Sequence, residues 1–201
     1  MRRLYLIFFL ILVTFLAMDA QSKMGLGIKV GLNVNIQGGW LGEDRSLLAF
    51  HGGTYIHYFI SKSLAIQSEV LISQKGETWD EEIMKGKYRL TYVDVPVLLR
   101  FHPTPNNPFF NIQAGPQFGY LVRAMNIQVN EIEDEKGKYD IKDRYKDFDF
   151  GLAVGFELNF SFRVNFTLRY IHGLSIVSDF YGYDYKNYVL QLSAGYRFFG
   201  N

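Results

Sequence analysis

The chain contains no cysteine. Disulfides and thiolate metal sites are therefore excluded, and so is a lipid anchor carried on a cysteine behind a leader. Histidine is scarce, four in 201 residues. No HxxxH, HExxH or Asp-rich calcium loop occurs, so nothing gathers zinc or calcium ligands, and neither a metal nor a cofactor is expected. An excess of one charge is missing too: 21 Lys and Arg face 20 Asp and Glu, for a formal net charge of +1. That leaves no basic field for nucleic acid and no acidic tail. Beyond the first twenty residues no hydrophobic period of 3.6 competes anywhere, so helices are not expected.

What the chain has in abundance is aromatic residues and glycine: 18 Phe, 14 Tyr and 19 Gly. It also has an apolar N-terminus. Met1-Arg2-Arg3 is basic, LYLIFFLILVTFLA (4–17) is uncharged and apolar, and MDAQS (18–22) follows with a small residue at Ala20. This is the layout of a cleaved secretory signal. A spanning helix needs about 20 apolar residues, and Asp19 interrupts the run sooner. We expect residues 1–20 to be a signal peptide cleaved near Ala20–Gln21, and 21–201 to be a single domain. Removing two Arg and one Asp takes the formal charge from +1 to 0.

The mature chain opens on GLGIKVGLNVNIQ (25–37). Leu26, Ile28, Val30, Leu32, Val34 and Ile36 alternate with small or polar residues, which is the period of a strand with two unlike faces. Seven more such segments follow, at about 48–60, 64–76, 88–102, 109–124, 148–159, 161–174 and 187–199. Each is long enough to cross a membrane as a tilted strand, which takes about 9–11 residues. The connections alternate. SKS (61–63), HPTPNNP (102–108) and NFS (159–161) are short; about 37–47, 77–87, 125–147 and 175–186 are long. Short, long, short, long is the signature of an all-β, eight-stranded antiparallel up-and-down barrel with one tight and one elaborated rim. Both termini then fall on the short-turn side, expected to be the periplasm of a Gram-negative bacterium.

Periodicity alone does not say which face is inside. A lipocalin-like soluble barrel turns its apolar face inward. Here that face carries Phe110, Phe118, Phe150, Phe156, Phe162, Phe166 and many large aliphatics, too much volume for eight strands to enclose. The opposite face carries Gly25, Gly27, Gly31, Gly53, Gly115, Gly119, Gly151, Gly155 and Gly195, interleaved with Lys29, Glu69, Asp94, Arg100, Gln113, Arg123, Asp149, Glu157, Arg163, Arg169 and Arg197. Glycine facing a crowded lumen makes room for long polar neighbours. We therefore expect a polar, Gly-rich lumen and an apolar exterior that meets lipid. Tyr58, Phe59, Phe101, Phe109, Phe110, Phe160, Phe162, Phe198 and Phe199 lie near the short-turn ends, where an interfacial aromatic girdle belongs.

GIKVGLNVN (27–35), LAIQSEVLISQKG (64–76), YVDVPVLLRF (92–101), NIQAGPQFGYL (111–121), LRYIHGL (168–174) and LSAGYRFF (192–199) resemble the Bacteroidota outer-membrane β-barrel family known as PorT-like or "porin family" proteins. The resemblance implies a small barrel inserted from the periplasm by the barrel-assembly machinery. It implies a role in protein secretion for some relatives, and it supplies no substrate-binding residue.

Among the lumen charges, a register set by the NFS turn predicts Glu157 opposite Arg163, with Arg197 approaching the same carboxylate. It also predicts Asp149 near Arg169, and Glu69 within a residue or two of Arg100. These clusters read either as an ion path or, preferably, as a salt-bridged filling, because a buried charge left alone costs several kcal/mol. His51, Tyr55 and His57 share a face, but no GxSxG elbow accompanies them, so lumen hydrogen bonding is favoured over a catalytic triad and no catalytic residue is assigned. Pro96 and Pro116 interrupt strands and call for local bulges. In the longest connection, 125–147, NIQVN keeps the period of two and EKGK can turn, so a hairpin can extend there. That stretch also reads as a solvated loop of mixed charge, and SDFYGYDY (178–185), within 175–186, reads as aromatics packing on the rim in preference to a grip on a partner; both loops are candidate surfaces for a protein or glycan partner.

The expected function is a non-enzymatic structural, adhesion or assembly barrel. The alternatives are a secretion accessory, a lipid-acting enzyme or a narrow channel. Cell fractionation should recover the mature chain, beginning near Gln21, in the detergent-extractable outer membrane; recovery as a freely soluble periplasmic protein would reject the membrane reading.

Overall fold

The structure is a computed structural model and describes residues 23–36, 46–81, 84–105, 107, 109–130, 135–178 and 184–200. Residues 1–20, the expected signal segment, and residues 179–183 of the last long loop lie outside the described residues. The strands are β1 (Met24–Asn35), β2 (Leu48–Phe59), β3 (Leu64–Glu81), β4 (Met84–Phe101), β5 (Phe110–Asn130), β6 (Glu135–Asp140), β7 (Phe148–Asn159), β8 (Val164–Gly173) and β9 (Tyr188–Phe199), with one 3-10 turn at Lys142–Arg144. Eight of them close into an antiparallel ring, β1-β2-β3-β4-β5-β7-β8-β9, sealed by the β9–β1 pairing. The short β6 pairs with the outer half of β5 and lies outside the ring.

Alternation decides the faces. Phe148 is 72% exposed and Phe50 68%, whereas Lys29 and Glu69 are each 1% exposed. The large apolar side chains point away from the ring and most of the charged strand residues into it, the reverse of a soluble barrel; Arg123, expected on the lumen face, is exposed where the β4–β5 register shifts. Glycine permits this crowding: a Cβ on Gly31 would strike the Leu192 carbonyl and the His51 ring, and one on Gly53 would strike the Val70 carbonyl. Near the short-turn rim, Phe109 meets Phe160 edge-on at 5.4 Å, and Phe160 packs against Phe162 and Phe166. Phe59 departs from the expected girdle. It meets His57 edge-on at 5.4 Å and His102 at a tilt at 5.2 Å, in a ladder continued by Tyr55 stacked on His57, and so belongs to the inner face.

The prolines do not make bulges. The β3–β4 ladder runs from Ser68↔Val97 to Leu71↔Asp94 with no paired residues between them and no change of register. The β4–β5 ladder likewise skips from Pro96↔Gln117 to Leu99↔Ala114. A missing N–H costs a ladder bond and leaves the strands aligned. The β4–β5 register does shift at Thr91/Tyr92, away from both prolines.

Residues 77–81 and 84–87 are not the loop that their composition suggests. β3 and β4 pair through to Glu81↔Met84, and β5 and β6 form the hairpin expected within 125–147. The outer halves of β3, β4 and β5, with β6, make a four-stranded sheet standing beyond the ring. At its base Leu90, Tyr92, Leu121, Ala124 and Ile141 are buried together, with Tyr88, Tyr145 and Tyr185 packed on them. This apolar cap covers the long-loop mouth of the ring.

Phe156→Arg would place a charge on the lipid face, at a cost of about 2–4 kcal/mol at mid-depth and less near the interface. The expected result is poor membrane insertion of that variant. Normal insertion, together with inaccessibility of Phe156 to lipid-phase probes, would reverse the two faces.

Candidate functional site

The ring holds two charged clusters. The lower one, toward the short turns, is built on two carboxylates. Glu69 on β3 accepts both arms of the Arg169 guanidinium from β8, at 2.9 and 2.7 Å. It also accepts Lys29 Nζ from β1 at 2.9 Å and Gln67 Nε2 at 2.6 Å. Glu157 on β7 pairs with Arg100 of β4 and accepts Asn111 Nδ2 at 3.3 Å and Thr167 Oγ1 at 3.0 Å. Lys29 Nζ stands 3.8 Å from Glu157, and Gln67 Oε1 accepts Arg100 Nη1 at 2.8 Å. The two carboxylates are thus joined twice, through Lys29 and through Gln67–Arg100. Alternate residues of six strands converge on one closed web.

The upper cluster centres on Lys75. Its Nζ lies 3.1 Å from the Asp94 carboxylate and 3.0 Å from Asp149, and 4.5 Å from the centre of the Tyr92 ring. Gln117 Nε2 donates to Asp94 at 3.1 Å; Asn187 Nδ2 and Ser175 Oγ donate to Asp149 at 2.9 and 3.1 Å. Leu98, Ala153, Ile171 and Val189 form a buried apolar cluster. On β4 and β7 the apolar residue falls between a member of the upper cluster and one of the lower; on β3 Ser73 takes part of that interval and accepts Asn33 Nδ2 of β1 at 3.0 Å, so one side of the space is apolar and the other polar. Charge crossing the lumen would have to displace the paired ions of both clusters.

Several expected partners are not brought together. Glu157 faces Thr167 and not Arg163. The chain turns over Phe160–Arg163, held by Phe160 N–H to the Val164 carbonyl, and this connection moves the register. Arg163 adopts φ 69° and its guanidinium donates to the Phe198 carbonyl at the rim, outside the lumen. Arg197 is half-buried nearby, and its Nε has no hydrogen-bond partner among the described residues. Asp149 and Arg169 sit in separate clusters, because β7 pairs Gly155, not Asp149, with Arg169. Glu69 and Arg100 share the lower web but are bridged by Gln67, since β3 sets Ala65 opposite Arg100. Lys29, Gln67, Lys75, Asp94 and Asn187 complete the clusters. Continuing the Glu69, Leu71, Ser73 alternation by one step reaches Lys75, and that is the signal that finds it.

One pair has the atoms of a nucleophile and a base: His51 Nε2 lies 2.8 Å from Ser193 Oγ. Both residues are 4% exposed. His51 Nδ1 has no partner among the described residues, so no carboxylate orients the ring as a triad requires. Among the described residues no group of His, Asp and Glu is arranged to hold a metal.

Removing one partner of a buried ion pair costs about 3–5 kcal/mol. Glu157→Ala, which strands Arg100 and deprives Lys29, should clearly lower the temperature at which the folded barrel loses its compact mobility on gels. Glu157→Gln, which keeps the hydrogen-bonding shape, should fall between it and the parent.

The sequence matches the outer membrane protein beta-barrel domain over residues 19–179. Solved structures similar to the ring include Ail, the attachment invasion locus protein of Yersinia pestis, at 13% identity and TM-score 0.47, covering 89% of this chain and 99% of that one. CarO2 of Acinetobacter baumannii is similar at 10% identity and TM-score 0.43, covering 87% and 99%. OprG of Pseudomonas aeruginosa is similar at 12% identity and TM-score 0.42, covering 89% and 97%. No curated protein matches the chain. The family match spans most of the chain, and the ring's apolar exterior and charged interior are what such a barrel needs in lipid: the protein belongs to the outer membrane protein beta-barrel domain family.

Proposed function

We propose that this protein is a non-conducting, non-enzymatic barrel whose role is structural, adhesive or in assembly, carried by its outer surface. The supporting observation is the filled lumen, two ion-paired clusters under the cap of Leu90, Tyr92 and Leu121. Chemistry or transport through the ring would have to break that filling, whereas the extended sheet presents side chains freely. In this reading both termini lie in the periplasm and the β3–β6 extension stands outward, as the alternation of short and long connections favours. Its partners are outer-membrane lipid, the barrel-assembly machinery during insertion, and a protein or glycan at loops 125–147 and 175–186. The likeness of its strand motifs to PorT-like proteins of Bacteroidota supports a second reading, an accessory of a protein secretion system. Comparing the secreted proteins of a deletion strain with those of its parent separates the two.

In planar bilayers the purified barrel should show no large, steady conductance. Reproducible nanosiemens-scale openings would overturn the filled-lumen reading.

A further inference from the structure

The sheet beyond the ring sorts its charges by face. On β4 the outward row of Val93, Val95, Val97 and Leu99 continues upward as Arg89, Lys87 and Lys85. Register carries the same face across to Ile127 and Val129 on β5 and to Lys138 and Lys136 on β6. Among the described residues two acids share this face, and both are engaged: Asp80 pairs with Lys85 at 3.5 Å, and Asp140 accepts the Lys142 backbone N–H at 2.9 Å. Lys87, Arg89, Lys136 and Lys138 make no ion pair with the described residues, and Arg89 Nε is covered without a hydrogen-bond partner. The opposite face carries Glu77, Trp79, Tyr88, Asn126, Gln128 and Tyr139, and no cation among the described residues.

A row of cations directly continuous with the lipid-contacting face, interleaved with Ile127 and Val129, is set against the headgroups of one leaflet. Arg89 and Lys85 lie about 14 and 27 Å along the strand beyond Val93. With strands tilted by about 45° that is about 10 and 19 Å above the last apolar row. A phospholipid phosphate sits at the membrane surface and reaches the first row only. A saccharide headgroup that carries two phosphates raises them on sugar rings and spreads them sideways, so one lipid can meet cations of more than one row. We infer that the outward face of the β3–β6 extension docks the phosphorylated headgroup of an anionic glycolipid in the adjoining leaflet. Cations near an anionic membrane surface are each worth about 1 kcal/mol, and the apolar residues between them lie against the sugar and acyl boundary.

The inference rests on the outward orientation proposed above, and two measurements keep the two apart. In neutral detergent micelles the full-length mature protein is titrated with bisphosphorylated lipid A, with the same lipid after phosphatase treatment, and with phosphatidylglycerol. The bisphosphorylated form should bind more tightly than the other two. Lys87→Gln with Lys138→Gln, two residues of one row, should weaken that binding about 30-fold. Asn126→Asp with Gln128→Glu makes the same change in net charge on the opposite face and should leave it within about twofold, since screening confines such effects to about 8 Å. Equal binding of the phosphorylated and dephosphorylated lipids, equal loss in both variants, or phosphatidylglycerol binding as tightly as lipid A would each overturn the docking surface. Separately, Asp143→Cys gives the chain a single thiol at the base of the extension. Its labelling in intact cells by a membrane-impermeant maleimide supports the orientation; labelling only after permeabilisation overturns the orientation, and the micelle titration still decides the docking surface.

Discussion

Everything in this fold depends on neutralising charge in a space too narrow for water. Eight strands enclose little more than their own inward side chains, and the apolar face is committed to lipid. Whatever points inward must therefore find its hydrogen bonds and counter-charges within the ring. Glu69 does so by taking a bidentate arginine, a lysine and an amide. Such webs gain little over a well-packed apolar filling, because desolvating the ions costs nearly what their attraction returns. What they supply is register: sliding β8 by two residues would pull Arg169 from Glu69, and sliding β4 would pull Arg100 from Glu157, each breaking a buried ion pair.

The same requirement explains the mixed filling of the lumen. Leu98, Ala153, Ile171 and Val189 occupy one side of the space between the clusters, Asn33 with Ser73 and His51 with Ser193 the other, and Leu90, Tyr92 and Leu121 roof it. At the other end the Tyr55, His57, Phe59 and His102 ladder lines the inner face. The charged groups that point inward are met by side chains of other strands, so the filling helps to hold the ring together.

The ring and its inside-out polarity were legible because each rests on parity, and parity is local: every second residue from Leu26, or from Glu69, declares its face. Connection lengths carried the up-and-down order. Partner choice was not legible in the same way. A one-strand pattern says that Glu157 and Arg169 point inward, but which charges meet depends on cross-strand register, and the turn at Phe160–Arg163 alone displaced Glu157 from Arg163 to Thr167. The extension was half legible. NIQVN kept its alternation and became part of β5, whereas ETWDEEIMKGK reads as a polar loop until pairing shows 77–81 and 84–87 to be strand. Phe59 shows the same limit from the other side: an aromatic near a rim fits the lipid girdle by position, and only its parity turns it inward.

The lower web joins residues far apart along the chain: Lys29 on β1, Glu69 on β3, Arg100 on β4, Glu157 on β7 and Arg169 on β8. None of these contacts can form between neighbouring strands alone as a hairpin forms. Lys29–Glu69 and Arg100–Glu157 each reach over one strand, but Lys29–Glu157 and Arg169–Glu69 join the two sides of the β9–β1 seam and form only when the ring closes. Until that moment Arg169 lacks its carboxylate and requires solvent, and an unfinished barrel carries a wet seam through the bilayer. Closure and drying are therefore one event. The web acts as a test of completeness, giving a chain that lacks its last strand no stable resting place in the membrane.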